Sequence, residues 1–233
     1  GFIFKSNTDS EVLLKGYIHW GKDIVQKLNG MFALMIWDSR SQKMFVARDR
    51  FGEKPLYYGT TKYGDIIFSS EIKVILSVPG FERAIDYEVL DEFRLGLSSS
   101  SRAYLTPFKN ILQVPPATCF DVSSSGEITN SHRFWSDHRV DWGGHGKVNE
   151  KDLYEEFLFL LSKSVKDRAN CDVQLGACLS GGLDSTSIVG IALKENLNNF
   201  SSTISVCYED DPTISEKNYL HQARNYFRGN HVF

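Results

Sequence analysis

The stretch Leu179-Ser180-Gly181-Gly182-Leu183-Asp184-Ser185-Thr186 limits what this chain can fold into more than any other. It lies between an apolar run, 173–179, that reads as a buried strand, and a helical run, 183–197. Two consecutive glycines let the backbone turn tightly and gather its N–H groups at one point. The helix that follows adds the partial positive charge of its N-terminus. A strand, a glycine turn and a helix start in succession make an anion site at the carboxyl end of a strand, where open parallel sheets place ligands. Ser180 and Ser185 offer hydroxyls to phosphate oxygens. Asp184 would repel a phosphate, so its natural partner is a bound Mg²⁺, an oxygen-seeking cation. The string is not a Walker A loop, because no Gly-Lys-Ser/Thr follows the glycines. The plain alternative is a turn with a capping serine. The whole string, with strand before and helix after, favours phosphate.

The neighbouring pattern agrees with an α/β setting. Asn149 caps a helix that places Leu153, Phe157, Leu161 and Val165 on one stripe. A strand at 202–208 and a helix at 215–227 continue the alternation, which predicts a parallel sheet with crossover helices and only two strands. The part before residue 137 reads differently, as short strands with a few helices. Thr8 and Glu11 fit a capping box opening a helix that Gly21 ends. Residues 30–38 read as a strand buried on both faces. A turn at Ser39-Arg40-Ser41 leads to a pairing strand at 43–48, and two short strands follow around 56–59 and 65–69. Asp86 caps a helix at 87–95. A serine run at 98–101, the break Val114-Pro115-Pro116 and a Gly-rich stretch at 141–146 interrupt the pattern.

Composition sets the outer bounds. The chain has 233 residues, between one and two domains at ~150 residues each. A net charge of −3 with 42% hydrophobic and 24% charged residues is ordinary for a globular protein. This excludes a disordered chain and a polybasic nucleic-acid coat, so no nucleic-acid partner is expected. The longest apolar run, Met31 to Trp37, falls far short of the ~20 residues that span a bilayer. No membrane partner and no secretory signal are expected. Cys119, Cys171, Cys178 and Cys207 lack metal or redox spacing and read as small buried side chains in a reducing, cytoplasmic setting.

The segment Ala47-Arg48-Asp49-Arg50-Phe51-Gly52-Glu53-Lys54-Pro55-Leu56-Tyr57-Tyr58, followed by Phe68-Ser69-Ser70-Glu71-Ile72-Lys73, closely resembles glutamine-hydrolysing asparagine synthetases. So do Leu28-Asn29-Gly30-Met31-Phe32-Ala33, Thr8-Asp9-Ser10-Glu11 and Arg133-Phe134-Trp135, in the same order. The Ser180–Ser185 string resembles the pyrophosphate loop of ATP pyrophosphatases, which cleave ATP between the α and β phosphates. The resemblance implies an α+β class: a partial N-terminal-nucleophile glutaminase sandwich at 1–137, a linker at 138–149, and a partial α/β parallel-sheet ATP pyrophosphatase domain at 150–233. It implies glutamine, aspartate and ATP as substrates, with Mg²⁺, and a homodimer for the full-length protein. A β-lactam synthetase-like or peptide-macrocyclising ligase, and a non-catalytic remnant, are the alternatives.

Residue by residue, the resemblance gives Asp9 the amino group of glutamine. It gives Ser180, Gly181, Gly182, Leu183, Asp184 and Ser185 the pyrophosphate, and Leu179 and Val206 the border of the adenine. Glu216 is a weak candidate for the adenylation site. Arg48, Asp49, Arg50 and Lys54 look catalytic in composition, but a solvated or ion-paired turn that braces the sheet is the better reading. Departures from the family pattern are Glu53 for an apolar residue, Ala117 for glycine and Thr186 for serine. The family's N-terminal cysteine nucleophile and its Asn-Gly oxyanion pair do not occur, and no catalytic residue is assigned. The chain begins Gly1 rather than Met and ends at Phe233, before the family's aspartate site. The expectation is therefore a middle portion that neither hydrolyses glutamine nor completes the transfer by itself.

Overall fold

The structure, a computed structural model, describes residues 1–97, 104–136, 149–197, 199–207, 216–227 and 231–232. The serine run at 98–101, the Gly-rich stretch at 141–146, His138, His145 and most of the expected linker lie outside the described residues. The chain divides into two compact units, Gly1–Trp142 and Gly143–Phe233.

In the first unit, helix α1 (Asp9–Trp20) starts at Thr8, whose side chain accepts from the Glu11 N–H, and ends at Gly21 with φ +58°. A 3₁₀ turn (Gly21–Asp23) and a short helix α2 (Ile24–Lys27) follow. Strands β1 (Ala33–Asp38) and β2 (Lys43–Arg48) form the expected antiparallel hairpin. Strand β3 (Tyr57–Thr60) pairs with β4 (Ile66–Ser69), and helix α3 (Ile72–Leu76) comes next. Helix α4 (Tyr87–Arg94) is capped by Asp86, which accepts from the Val89 N–H. The strands β5 (Ile111–Gln113), β6 (Thr118–Ser123) and β7 (Ile128–Arg133) were not expected from the sequence. They complete two antiparallel sheets, ordered β1-β2-β6-β7 and β4-β3-β5.

Alternation along these strands builds four layers, helix, sheet, sheet, helix. Phe45, Ala47, Ala117 and Cys119 face Tyr17, Ile24 and Val25 below α1 and α2. Val46, Phe120 and Val122, on the opposite side, pack against Leu56, which precedes β3, and Tyr58, Ile66 and Phe68 of the second sheet. Tyr57 and Ile67 turn the other way, onto Ile75 of α3. Strand β1 corrects the sequence reading. Only its Leu34 is buried, while Met35 and Trp37 are 46% and 47% exposed, so one face is open.

In the second unit, strands β8 (Leu175–Cys178), β9 (Phe200–Ile204) and β10 (His231–Val232) form a parallel sheet ordered β10-β9-β8. The third strand corrects the expected count of two, and β9 begins and ends earlier than the sequence suggested. Helices α6 (Leu183–Lys194) and α7 (Lys217–Phe227) cover one face through Leu179, Val189, Leu220 and Ala223. Helix α5 (Glu150–Ala169), capped by Asn149, packs on α6. Its expected buried stripe is largely open: Leu153 and Phe157 are exposed, and no α5 residue is fully buried. Strand β8 is likewise half-covered. Cys178 is exposed and Cys207 lies beyond β9, half-buried, so only Cys119 is the buried thiol the sequence suggested.

Candidate functional site

The loop between β8 and α6 is held by its own hydroxyls. Ser180 Oγ and Ser185 Oγ lie 2.9 Å apart. Ser185 Oγ accepts from the Ser180 N–H at 3.2 Å and donates to the Gly182 carbonyl at 3.3 Å. Ser180 Oγ accepts from the Gly182 N–H at 3.3 Å. The two serines thus tie the end of the strand to the first turn of the helix. Ser205 Oγ donates to the Leu179 carbonyl at 2.7 Å, which fixes the strand end to the neighbouring chain segment.

Gly181 has φ +86°, the left-handed region. A Cβ there would lie 2.9 Å from Tyr219 Cβ and 3.3 Å from the Leu220 nitrogen, so α7 closes directly on the loop. The N-cap of α6 is Gly182, with no side-chain cap. The first-turn N–H groups of a helix have no intrahelical acceptor, so this end is open to an anion. Asp184, in that first turn, is exposed, and Leu183 is 89% exposed. Among the described residues no group of three or more His, Cys, Asp or Glu side chains gathers to hold a metal. A Mg²⁺ ion at Asp184 would therefore take its remaining oxygens from phosphate and water, as that ion commonly does.

Other sequence candidates are placed differently. Leu179 is 1% exposed, its side chain packed with Val189 and Leu220, and it offers no surface to an adenine. Val206 lies past the end of β9 and is 71% exposed. Glu216 is exposed just before α7, where its carbonyl accepts from the Leu220 N–H. The sequence reading gave no role to the Thr186 hydroxyl, which is buried beside the loop without a hydrogen-bond partner among the described residues.

In the first unit, Asp9 opens α1 with its carboxylate exposed and the Ser10 hydroxyl 3.3 Å away. Glu11 does not close the capping box on the Thr8 N–H. Its carboxylate accepts instead from the Lys5 and Ser6 N–H groups at 2.9 and 2.7 Å. It also accepts from Ser6 Oγ at 2.6 Å and pairs with Lys15. The Lys15 ammonium, then the serine and backbone donors, hold the Glu11 carboxyl down at about 2.

Arg48 and Asp49 brace a turn, as expected, but they are buried rather than solvated. Arg48 donates to the carbonyls of Lys54, Gly52 and Val114 at 2.6–2.7 Å. Asp49 accepts from four backbone N–H groups. Glu53 is exposed, and Glu71 pairs with Lys73 at the start of α3. Cys119 Sγ lies 3.4 Å from His132 Nε2, but burial, reinforced by Asp121, pushes the thiol up to about 11. A thiol so rarely ionised is no nucleophile at neutral pH.

A glutamine amidotransferase domain model matches residues 1–135, and an asparagine synthase model matches residues 156–233. Glutamine-hydrolysing asparagine synthetase 3 of Bacillus subtilis is 36% identical over 195 residues, covering 82% of this chain and 30% of the relative. A putative glutamine-hydrolysing asparagine synthetase of Methanocaldococcus jannaschii is 34% identical over 240 residues, covering 97% and 43%. One of Mycobacterium tuberculosis is 30% identical over 213 residues, covering 84% and 30%. The chain thus spans less than half the length of these relatives. No described helix is long and apolar enough to cross a membrane.

Proposed function

Because this chain belongs to the glutamine-hydrolysing asparagine synthetase family, we propose that it forms part of an enzyme making asparagine from aspartate, ATP and ammonia drawn from glutamine. The first unit is the glutaminase side and the second the adenylating side. The observation that carries the reading is the uncapped start of α6 behind the left-handed Gly181, with Ser180 and Ser185 beside it. That arrangement suits the pyrophosphate of ATP. An aspartate carboxylate oxygen attacks the α-phosphorus, and the bond to the β-phosphate oxygen breaks. Pyrophosphate leaves with the bonding pair, its growing charge met by the helix N–H groups and the loop hydroxyls. Ammonia then attacks the acyl carbon and AMP departs. Mg²⁺, when bound through Asp184, supplies charge neutralisation on the phosphate oxygens. Asp9 holds the ammonium of glutamine, and Glu216 is a secondary candidate near the adenylation site. Four free thiols support a reducing, cytoplasmic setting.

The test is aspartate-dependent pyrophosphate release by the intact protein. Asp184→Ala should lower it at least ~100-fold, as expected for losing a centre of transition-state charge stabilisation, and leave any glutaminase activity unchanged. Unchanged pyrophosphate release in that variant removes the role of Asp184. Release with another carboxylate, and none with aspartate, assigns a different acceptor.

A further inference from the structure

We propose that Glu11 is a positioning residue of the glutamine site, clasping the turn before α1 so that Asp9 presents its carboxylate at a fixed place. This rests on reading Asp9 as the group that holds the glutamine ammonium.

The geometry is a closed ring. The Glu11 carboxylate accepts from Ser6 Oγ at 2.6 Å, and Ser6 Oγ lies 3.0 Å from Thr8 Oγ1. Thr8 Oγ1 in turn accepts from the Glu11 N–H at 3.4 Å. Asp9 and Ser10 are the residues this ring encloses, so the backbone is tied on both sides of the Asp9 carboxylate. Further donors lock the ring from outside. The Lys5 N–H reaches both Glu11 oxygens, at 2.9 and 3.1 Å, and the Ser6 N–H reaches one at 2.7 Å. Lys15 pairs with the same carboxylate, bonds the Ile3 carbonyl and stands 4.4 Å from the centre of the Phe4 ring. Apart from the Lys15 pair, the carboxylate's acceptor capacity is thus spent on the segment that precedes the helix.

An N-cap needs much less. The Thr8 hydroxyl already satisfies a first-turn N–H, and the usual capping box would add one bond to the Thr8 backbone. Glu11 reaches past it and orders residues 3–6 along α1. The helix would start without that reach, but the chain entering it would be free, and the Asp9 carboxylate would wander with it. Asp9 itself remains exposed, with the Ser10 hydroxyl as a neighbour, and is available to a cation. A charge-assisted pair to an ammonium depends on short distance and alignment. A displacement of about 1 Å is enough to cost a large factor where geometry must be exact.

The experiment is glutamine binding by calorimetry with the intact protein, run beside the KM for glutamine and pyrophosphate release supported by added ammonia. Asp9→Asn should raise the glutamine Kd by about ten- to a hundredfold. Glu11→Ala should raise Kd and KM by about tenfold, with kcat and ammonia-supported release unchanged. Glu11→Gln keeps one oxygen for the Ser6 donors but turns its NH₂ towards the Lys5 N–H and the Lys15 ammonium, so it should recover only part of the loss. Should Glu11→Ala fail to fold, Ser6→Ala opens the same ring without a charge change and should raise Kd a few-fold, by about one neutral hydrogen bond. If Asp9→Asn weakens binding while Glu11→Ala and Ser6→Ala bind normally, the positioning role is overturned and the glutamine reading stands. If ammonia-supported release falls in step with glutamine binding, Glu11 is merely structural and the role is also overturned. If the unsubstituted protein does not bind glutamine, the reading beneath the proposal is what fails.

Discussion

Asp49→Asn changes one atom type at a fully buried site and should be among the most destabilising substitutions in the first unit. Asp49 is 0% exposed. Its Oδ1 accepts from the N–H groups of Phe51 and Glu53 at 3.1 and 2.9 Å, and its Oδ2 from those of Phe32 and Lys54 at 3.2 and 3.0 Å. Asparagine keeps one oxygen, which can serve two of these donors. Its NH₂ group must face the other two, donor against donor. Each buried donor left unsatisfied costs about 1–3 kcal/mol, so the pair costs roughly 2–6 kcal/mol. A typical domain has a total stability of only about 5–15 kcal/mol. Urea unfolding followed by tryptophan fluorescence reads the effect. With a slope of about 2 kcal/mol/M, the midpoint should fall by roughly 1–3 M while the slope stays the same. Asp91→Asn is the comparison, because Asp91 is 66% exposed in its pair with Arg94 and should cost less than about 1 kcal/mol. If Asp49→Asn shifts the midpoint no more than Asp91→Asn does, the four N–H groups find other acceptors and the bracing argument is wrong.

Two further outcomes follow from single residues. Ala117 is fully buried at φ +55°, a left-handed conformation that costs a non-glycine residue about 1–2 kcal/mol. Ala117→Gly removes that strain, but loses about 0.8 kcal/mol of methyl burial and gains freedom in the unfolded chain. It should melt within a few degrees of the parent, whereas Ala117→Val should be lower by several kcal/mol (roughly 2–5) for its branched side chain at positive φ. Glu11 titrates at about 2 when folded, against an ordinary value of 4.5. A depressed folded value means that its contribution is complete above about pH 4.5 and is lost as pH falls from there towards 2. Acid unfolding of Glu11→Gln should lack that part of the slope, read by circular dichroism across the same range.

How much could be read from the chain depended on where each residue finds its partners. The hairpin β1–β2 was legible because its turn and the two apolar runs it joins are local, although their continuity hid the open face of β1. Strand β7 was not. Ile128–Arg133 is largely polar and mostly exposed, and only its pairing with β6 makes it a strand. The period of α5 correctly identified a helix but not its burial, since periodicity tells which side chains share a face and not what covers that face. The charged run Arg48–Lys54 suggested solvent, yet Arg48 and Asp49 are solvated by backbone carbonyls and N–H groups, those of the turn together with the Val114 carbonyl and the Phe32 N–H. Glu11 was misread for the same reason. Beside Ser6 Oγ and Lys15, its partners include the N–H groups of Lys5 and Ser6, backbone donors that no side-chain pattern reports.

The 49–54 turn and the 180–185 loop pose the same physical problem, backbone N–H groups crowded at a sharp bend, and the chain resolves them in opposite ways. Asp49 fills the first with a carboxylate, so that turn is complete without a ligand. In the second, Ser180 and Ser185 hydroxyls take the Gly182 and Ser180 N–H groups, but the glycine cap gives the first-turn N–H groups of α6 no side-chain acceptor, and on the proposed function the nucleotide's phosphates take that place. Ligand should then stabilise the second unit and leave the first alone. At 100 times its Kd, ATP with Mg²⁺ should add about 2.7 kcal/mol to unfolding of the unit that binds it. Gly181→Ala places a Cβ 2.9 Å from Tyr219 Cβ at a positive φ and should abolish that increment. Hydrogen exchange resolves the two units. Protection should rise with ATP–Mg²⁺ in α6 and at the end of β8, and stay level around Asp49. Equal gains in both regions, or a full gain in Gly181→Ala, would mean that the open helix start is not where the nucleotide binds.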